Sequence, residues 1–168
     1  HFLAHSYENI GRHDAAADYA RRYAADAPGV AHAQHMLGHV LPRQGKWREA
    51  RAQFVKADGL ERAYYRAEGI DPAEDWHHGH NLHLLAVVNL QLGDQAQAER
   101  YLREAFDLDE RGVFAGVYAG PYVQFLLLGG RNQEALDAAA RIESEPTTAA
   151  QVIGAALAGE ALLALGRE

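Results

Sequence analysis

The sequence predicts an all-α fold made of antiparallel helix pairs, and three observations support this prediction. First, glycines followed by helix-like runs recur at intervals of 34 to 48 residues. Second, apolar residues between these glycines return every three or four positions, as they do on one face of a helix. Third, no segment shows the sustained alternation of Val, Ile and Thr that is typical of a strand. The recurring glycines are Gly11, Gly45, Gly93, Gly130 and Gly166.

Each of these turn glycines is surrounded by positions that align between the repeats. The residue five positions after each of the first four glycines is alanine, and the residue seven positions before is small in all repeats but one. Two helices approach closely only where their side chains are small, so these columns predict the contact within each helix pair. The glycine is expected to end the first helix and to reverse the chain. The alanines are Ala16, Ala50, Ala98 and Ala135, and the second column holds Ala4, Gly38, Ala86, Val123 and Gly159.

The composition of the 168-residue chain narrows the function classes. A share of 48% hydrophobic and 23% charged residues is the balance of a globular domain. The net charge of −7 makes a nucleic-acid partner unexpected, and no apolar run is a convincing membrane span. The absence of cysteine excludes disulfides, Cys-ligated zinc and thiol catalysis. Because the helical pattern is already under way at His1, we expect the chain to be a fragment of a longer protein.

The pattern around the second glycine resembles the tetratricopeptide repeat family. The segment runs from Leu37-Gly38 through Gly45-Lys46-Trp47 to Ala50, Phe54 and Ala57. The resemblance extends over nearly the whole chain and implies one domain, an α-solenoid with a concave inner surface. It places four repeats at about residues 1–28, 31–66, 72–110 and 114–146, followed by a capping helix at 147–166.

Two segments depart from the regular repeat. An insertion of 14 residues between the second and third turn glycines contains Tyr64, Tyr65 and Trp76. Its end, Asp71-Pro72-Ala73-Glu74, has the pattern of a helix start, so the next helix is expected to begin near Pro72. In the fourth repeat, Pro121 is expected to kink or delay the first helix.

Seven of the ten histidines fall into three columns of the repeat frame, ten, six and thirteen positions before the turn glycine. Residues three and four apart share one helix face, so the three histidines of the second repeat form one stripe. In the family that the chain resembles, these columns point into the concave groove and contact ligands. The ladder ends at repeat four, where the same columns hold Val117, Gly120 and Gln124. The seven are His1, His35 and His83, then His5 and His39, then His32 and His80.

Such a surface has two functional interpretations and a structural one. The leading hypothesis is a scaffold whose groove, with Arg43, binds a peptide, a partner protein or a small anionic ligand. The alternative is a transition-metal site for Zn, Cu, Ni or Fe, with zinc the first expectation, in a metal-binding protein or metal-dependent hydrolase. Packing alone, without a ligand, is the third interpretation. The metal ligands would be His5, His35, His39 and His83, and Glu8 could add a carboxylate.

A narrower resemblance links the histidines to one another. The run from His32 to Trp47 is similar to a His-rich group of bacterial tetratricopeptide proteins, which implies that these histidines act together. Members that clamp acidic chaperone tails carry Lys and Asn where this chain carries His, so that type of receptor is not expected. The sequence also lacks a phosphate loop, a Gly-x-Ser-x-Gly elbow and a His-Glu-x-x-His motif, so we do not expect an enzyme of those classes.

Overall fold

The structure, a computed structural model, describes residues 1–108, 114 and 116–167. In this part of the chain every regular element is helical, and short 3-10 turns occur at Leu41–Gln44 and Pro72–Glu74. None of the described helices is long and apolar enough to span a membrane. The helices are α1 (Phe2–Asn9), α2 (His13–Asp26), α3 (Ala31–Val40), α4 (Trp47–Glu68), α5 (Trp76–Gln91), α6 (Gln95–Asp107), α7 (Gly120–Leu128), α8 (Asn132–Glu143) and α9 (Thr148–Ala164).

The chain divides into two compact units. The first unit comprises His1–Ile70 and Leu84–Ala98, and the second comprises Asp71–His83 and Glu99–Glu168. The division into four repeats of one domain stays a prediction, and the expected end of the third repeat, at residue 110, lies outside the described residues.

The five turn glycines all have the backbone conformation that the sequence predicts for them. Their φ angles lie between 66° and 79°, in the left-handed region that residues with a Cβ rarely adopt. A helix that ends on such a residue can reverse direction within one or two positions. The first four of these glycines therefore mark turns between consecutive helices, and Gly166 follows the end of α9.

In the first unit, α1 packs on α2, α2 on α3, and α3 on α4. Ala16 and Ala50, the aligned alanines of the first two repeats, are both completely buried. Gly38 fits α3 against α4 so closely that a Cβ at this position would lie 2.8 Å from the ring of Phe54. The small-residue column thus marks the contact between these two helices.

In the second unit, α7 packs on α8, and both helices pack on α9. Ala135 on α8 is completely buried, as the repeat frame predicts. Gly154 on α9 lies against the backbone of Glu143, and a Cβ would collide with it. Pro121 occupies the first turn of α7, which begins only at Gly120, so the expected delay of this helix is observed.

The predicted helix start near Pro72 is wrong in its position. Asp71 does accept a hydrogen bond from the backbone N–H of Ala73, but only a single 3-10 turn follows. Asp75 then accepts a hydrogen bond from the N–H of His77, and α5 begins at Trp76. Because two aspartates cap two successive turns, the first cap ends in a short turn and the second starts the helix.

Candidate functional site

The imidazole rings of α1 and α3 form one connected group, which we call the imidazole cluster. The His1 ring centroid lies 4.9 Å from that of His5 and 4.8 Å from that of His32. His5 also lies 6.0 Å from His39, so two ring contacts link the α1 segment to α3. The cluster consists of five of the seven predicted residues, His1, His5, His32, His35 and His39.

The three histidines of α3 form the stripe that their spacing predicts. His32 stacks on His35 with ring centroids 5.7 Å apart and planes 12° apart, and His39 lies 6.0 Å further along. Only 4% of His35 is exposed, and its ring edge packs on the ring of Phe54. His35 therefore supports the cluster from the core side, whereas His32 and His39 are partly exposed.

Two features of the sequence fix α3 in place. Gln34 is buried and donates a hydrogen bond of 3.1 Å to the carbonyl of Ala24, near the end of α2. The last carbonyls of a helix have no partner within it, so this amide satisfies a group that would otherwise lose its hydrogen bond. Gly38 lets the opposite face of α3 approach Phe54. The stripe is thus held in place by the hydrogen bond of Gln34 to α2 and by the close contact of Gly38 with α4.

Glu8 connects the cluster to the turn that follows α3. Its carboxylate accepts hydrogen bonds from Nδ1 of His39, at 3.1 and 3.2 Å, and from Nε of Arg43, at 3.3 Å. The Glu8 side chain is only 7% exposed. Burial raises the pKa of this carboxyl, but the hydrogen bonds from His39 and Arg43 outweigh it and hold the pKa below its ordinary value. The ionised carboxylate therefore keeps the proton of His39 on Nδ1.

The positively charged form of His5 is disfavoured within the cluster. The pKa of His5 is lowered, first by burial and then by the nearby His39, although Glu8 acts in the opposite direction. Close imidazoles titrate as a coupled set, because each proton taken up raises the cost of the next. In its neutral form an imidazole offers one hydrogen-bond donor and one acceptor.

The other two predicted histidines lie in the second unit. There the ring centroid of Tyr118 lies 5.3 Å from that of His80 and 6.1 Å from that of His83. Trp76 stacks on His77 at 3.8 Å and lies 6.1 Å from His80. Burial lowers the pKa of His83. The prediction that His80 and His83 continue the surface of the imidazole cluster stays a prediction.

Three of the four predicted metal ligands, His5, His35 and His39, lie in the first unit. Among the described residues, no three members of the imidazole cluster bring ring nitrogens within 4.8 Å of one another. Zinc needs three or four ligand atoms at about 2.0–2.3 Å from the ion, which requires closer donors. A metal would therefore have to draw the rings together by side-chain rotation.

Sequence reasoning missed part of the network. Glu8 was expected only as a spare metal ligand, whereas it is the acceptor that joins His39 to Arg43. Its position three residues after His5 on the same helix was the available signal. Tyr118 falls in none of the aligned columns, so no column could have indicated its contact with His80.

Comparison with known proteins bears on the fold. Residues 80–111 match the family model of the tetratricopeptide repeat. The fold is a tetratricopeptide-like solenoid of helix pairs. Among solved structures, the nearly identical TPR-like repeats of a protein described as a kinesin light chain, from Podosopora anserina, superpose with a TM-score of 0.73. The two sequences are 15% identical, and the match covers 98% of this chain and 84% of the other.

A second solved structure, a single-substitution variant of the same fungal protein, gives a similar result. Its TM-score is 0.72 at 16% identity, again with 98% of this chain and 84% of the other covered. Identities this low show the tetratricopeptide-like fold and not a shared ligand. A search of curated proteins finds no sequence that matches. The all-α fold class predicted from the glycine and alanine columns is thus confirmed.

Proposed function

We propose that this chain is a tetratricopeptide-like scaffold that binds a peptide or protein partner at the imidazole cluster. The fold supports a binding role, because stacked helix pairs present extended surfaces formed by consecutive repeats. The residues support this particular location, since α1 and α3 place five imidazoles in contact. The wider proposal adds His80, His83 and Arg43 to the same ligand surface and relates the chain to the His-rich bacterial group.

The observation that carries the proposal is the chain of contacts from His5 through His39 to Glu8. The buried carboxylate orients the His39 ring through Nδ1, so the hydrogen-bonding direction of that ring is set before a ligand arrives. Partly exposed imidazoles suit a polar peptide, because a neutral ring such as that of His5 can accept from a backbone N–H and donate to a carbonyl. Preset side chains reduce the entropy that is lost on binding.

The experiment is a peptide-library selection on the purified chain, followed by fluorescence-polarisation titration of the selected peptides. The His5→Ala/His39→Ala variant is expected to weaken binding by about tenfold or more, the loss of roughly one to two hydrogen bonds. Gln124→Ala, which alters the same column in repeat four, is the control and is expected to bind within about twofold of wild type. Equal binding by the double variant, or no peptide with saturable binding, would contradict the proposal.

The second candidate function is metal binding, and the Glu8–His39 pair favours it. A histidine that binds a metal through one ring nitrogen commonly donates a hydrogen bond from its other ring N–H to a carboxylate. Nδ1 of His39 makes such a hydrogen bond to Glu8. Under this hypothesis His5, His35, His39 and His83 bind a transition metal, with zinc as the first expectation. The test is elemental analysis of protein prepared without an affinity tag. Stoichiometric metal that is lost in His35→Ala/His39→Ala would support it, and metal-free protein whose melting temperature does not respond to zinc would refute it.

A further inference from the structure

A cleft of about 710 Å³ lies in the first unit, at the turns after α1 and α3, and shares Arg43 with the proposed ligand surface. Its walls come from the start of α2 and from the segment that leads into α4. A volume of this size is in the range of cavities that hold small molecules. The side chains that line it are Arg12, His13, Asp14, Arg43, Gln44 and Lys46.

The charge of this cleft is opposite in sign to that of the whole chain. Three of the lining residues, Arg12, Arg43 and Lys46, are cationic, whereas Asp14 is the one carboxylate among them. The whole chain has a net charge of −7. The cleft keeps a positive surplus even when Glu8, the partner of Arg43, is counted with it. Cations gathered in a cleft raise the local concentration of anions.

Existing contacts leave this positive surplus in place. The carboxylate of Asp14 accepts a hydrogen bond of 2.8 Å from Nε2 of Gln44, which is a neutral amide. Oε1 of Gln44 accepts from Arg21 at 3.0 Å, which fixes the amide between the two. The guanidinium carbon of Arg12 lies 5.1 Å from the ring centroid of Tyr7, a contact that positions the group and leaves its charge unneutralised. These contacts therefore hold Arg12 and Gln44 in place while the cleft keeps its net positive charge.

The backbone adds to the same preference. Helix α2 has 14 residues, and its N-cap residue, Arg12, provides no side-chain hydrogen bond to the first turn. The N–H groups of a first turn point out of the helix and carry partial positive charge. Residues 13–15 of that turn line the cleft together with the three cations. The cationic side chains and the N-terminus of α2 thus both favour a negatively charged ligand.

We infer that this cleft binds a phosphate group carried by a small molecule or by a phosphorylated side chain. A phosphate is largely dianionic at neutral pH and offers three strong acceptor oxygens, so it can engage several donors at once. Arginine pairs with it through two parallel N–H groups, and lysine supplies a compact point charge. The volume of about 710 Å³ also leaves room for the organic group that bears the phosphate.

The test uses inorganic phosphate as the probe, with isothermal titration calorimetry at low ionic strength. Wild type is expected to show saturable binding, which Lys46→Gln weakens by about tenfold through the loss of one charge-assisted contact. Lys56→Gln is the matched control, because Lys56 is exposed on α4 and lies outside the cleft. Arg12→Gln is the second variant and is expected to weaken binding to a similar extent. Circular dichroism verifies that each variant is folded.

Three results would overturn the inference. These are the absence of saturable binding at millimolar phosphate, an equal loss of affinity in the Lys56→Gln control, and equally tight binding of acetate. Tighter binding of a phosphoserine peptide than of glycerol phosphate would assign the phosphate to a partner protein. The reverse order would assign it to a small ester, and both orders support a phosphate site.

Discussion

Replacing Gly38 by alanine tests the close contact between α3, which carries three histidines of the imidazole cluster, and α4. A methyl group at this position would lie 2.8 Å from two ring carbons of Phe54 and 3.0 Å from a third. The ring is completely buried, so it has no open space into which to rotate. Overpacking of a core in this way costs about 1–3 kcal/mol. Alanine is also a better helix former than glycine, by roughly 0.8–1.0 kcal/mol.

The net expectation for Gly38→Ala is a loss of about 1 kcal/mol in the free energy of unfolding, the difference between these two terms. With a urea dependence of roughly 2 kcal/mol per molar, the unfolding midpoint falls by about 0.5 M. Gly59→Ala on α4 is the matched control, because a Cβ there meets nothing within 4 Å. It is expected to raise the midpoint by a similar amount, since only helix propensity changes.

A double-mutant cycle with Phe54→Leu isolates the contact itself. Leucine removes the ring atoms that a Cβ at position 38 would meet, so Gly38→Ala should cost less in the Phe54→Leu background by about 1 kcal/mol or more. Urea titration followed by circular dichroism gives all four free energies. If Gly38→Ala shifts the midpoint upward, as Gly59→Ala does, or if the cycle shows no coupling, the proposed steric role of Gly38 is refuted.

Three further predictions concern the second unit, the carboxylate of the cluster and the response to pH. On α9, Gly154→Ala should lower the free energy of unfolding by about 2 kcal/mol, because its methyl group meets backbone atoms of Glu143. Gly159→Ala is the control in the same urea assay, and it should raise the free energy of unfolding by about 0.5–1 kcal/mol, because a Cβ there meets nothing within 4 Å. Glu8→Gln should lower the free energy of unfolding by about 1–3 kcal/mol, since it removes a buried charge that accepts from two cationic or imidazole donors, and an unchanged value would contradict that network. The free energy of unfolding should also fall as pH drops below 6.5. The pKa values of His5 and His83 are lowered in the folded chain, so the unfolded chain takes up protons at these two residues first. A free energy of unfolding that stays constant from pH 7 to 5 would contradict this linkage.

The sequence predicts the fold well because helix pairing leaves a periodic record. Each turn needs a residue that tolerates positive φ, and each helix contact needs a small side chain, so glycine and alanine recur at fixed offsets. The helix start after the insertion was placed wrongly, because Asp71 and Asp75 both carry cap signals four residues apart. A local pattern cannot show which of two adjacent caps continues into a helix.

The site was less predictable than the fold. The columns group His1 and His5 with the histidines of α3, and the structure shows ring contacts between His1 and His32 and between His5 and His39. The columns do not show how deeply each side chain is buried, so the near-complete burial of His35 against Phe54 could not be predicted. The link from Glu8 to Arg43 depends on the turn after α3, a segment whose path the repeat pattern does not specify.

The proposed binding role and simple packing place different demands on the positions of the imidazole cluster. The column that holds His5 and His39 holds Val87 in the third repeat, so an apolar side chain can occupy this position in the helix. Burial and the neighbouring His39 make the charged form of His5 unfavourable, which is a cost that valine would not carry. Glu8, meanwhile, is almost buried and directs its charge at His39. Under the proposed binding role, loss of the His5 and His39 rings weakens ligand binding, and loss of the His39 ring also lowers stability, because it removes a hydrogen-bond donor from the buried carboxylate of Glu8.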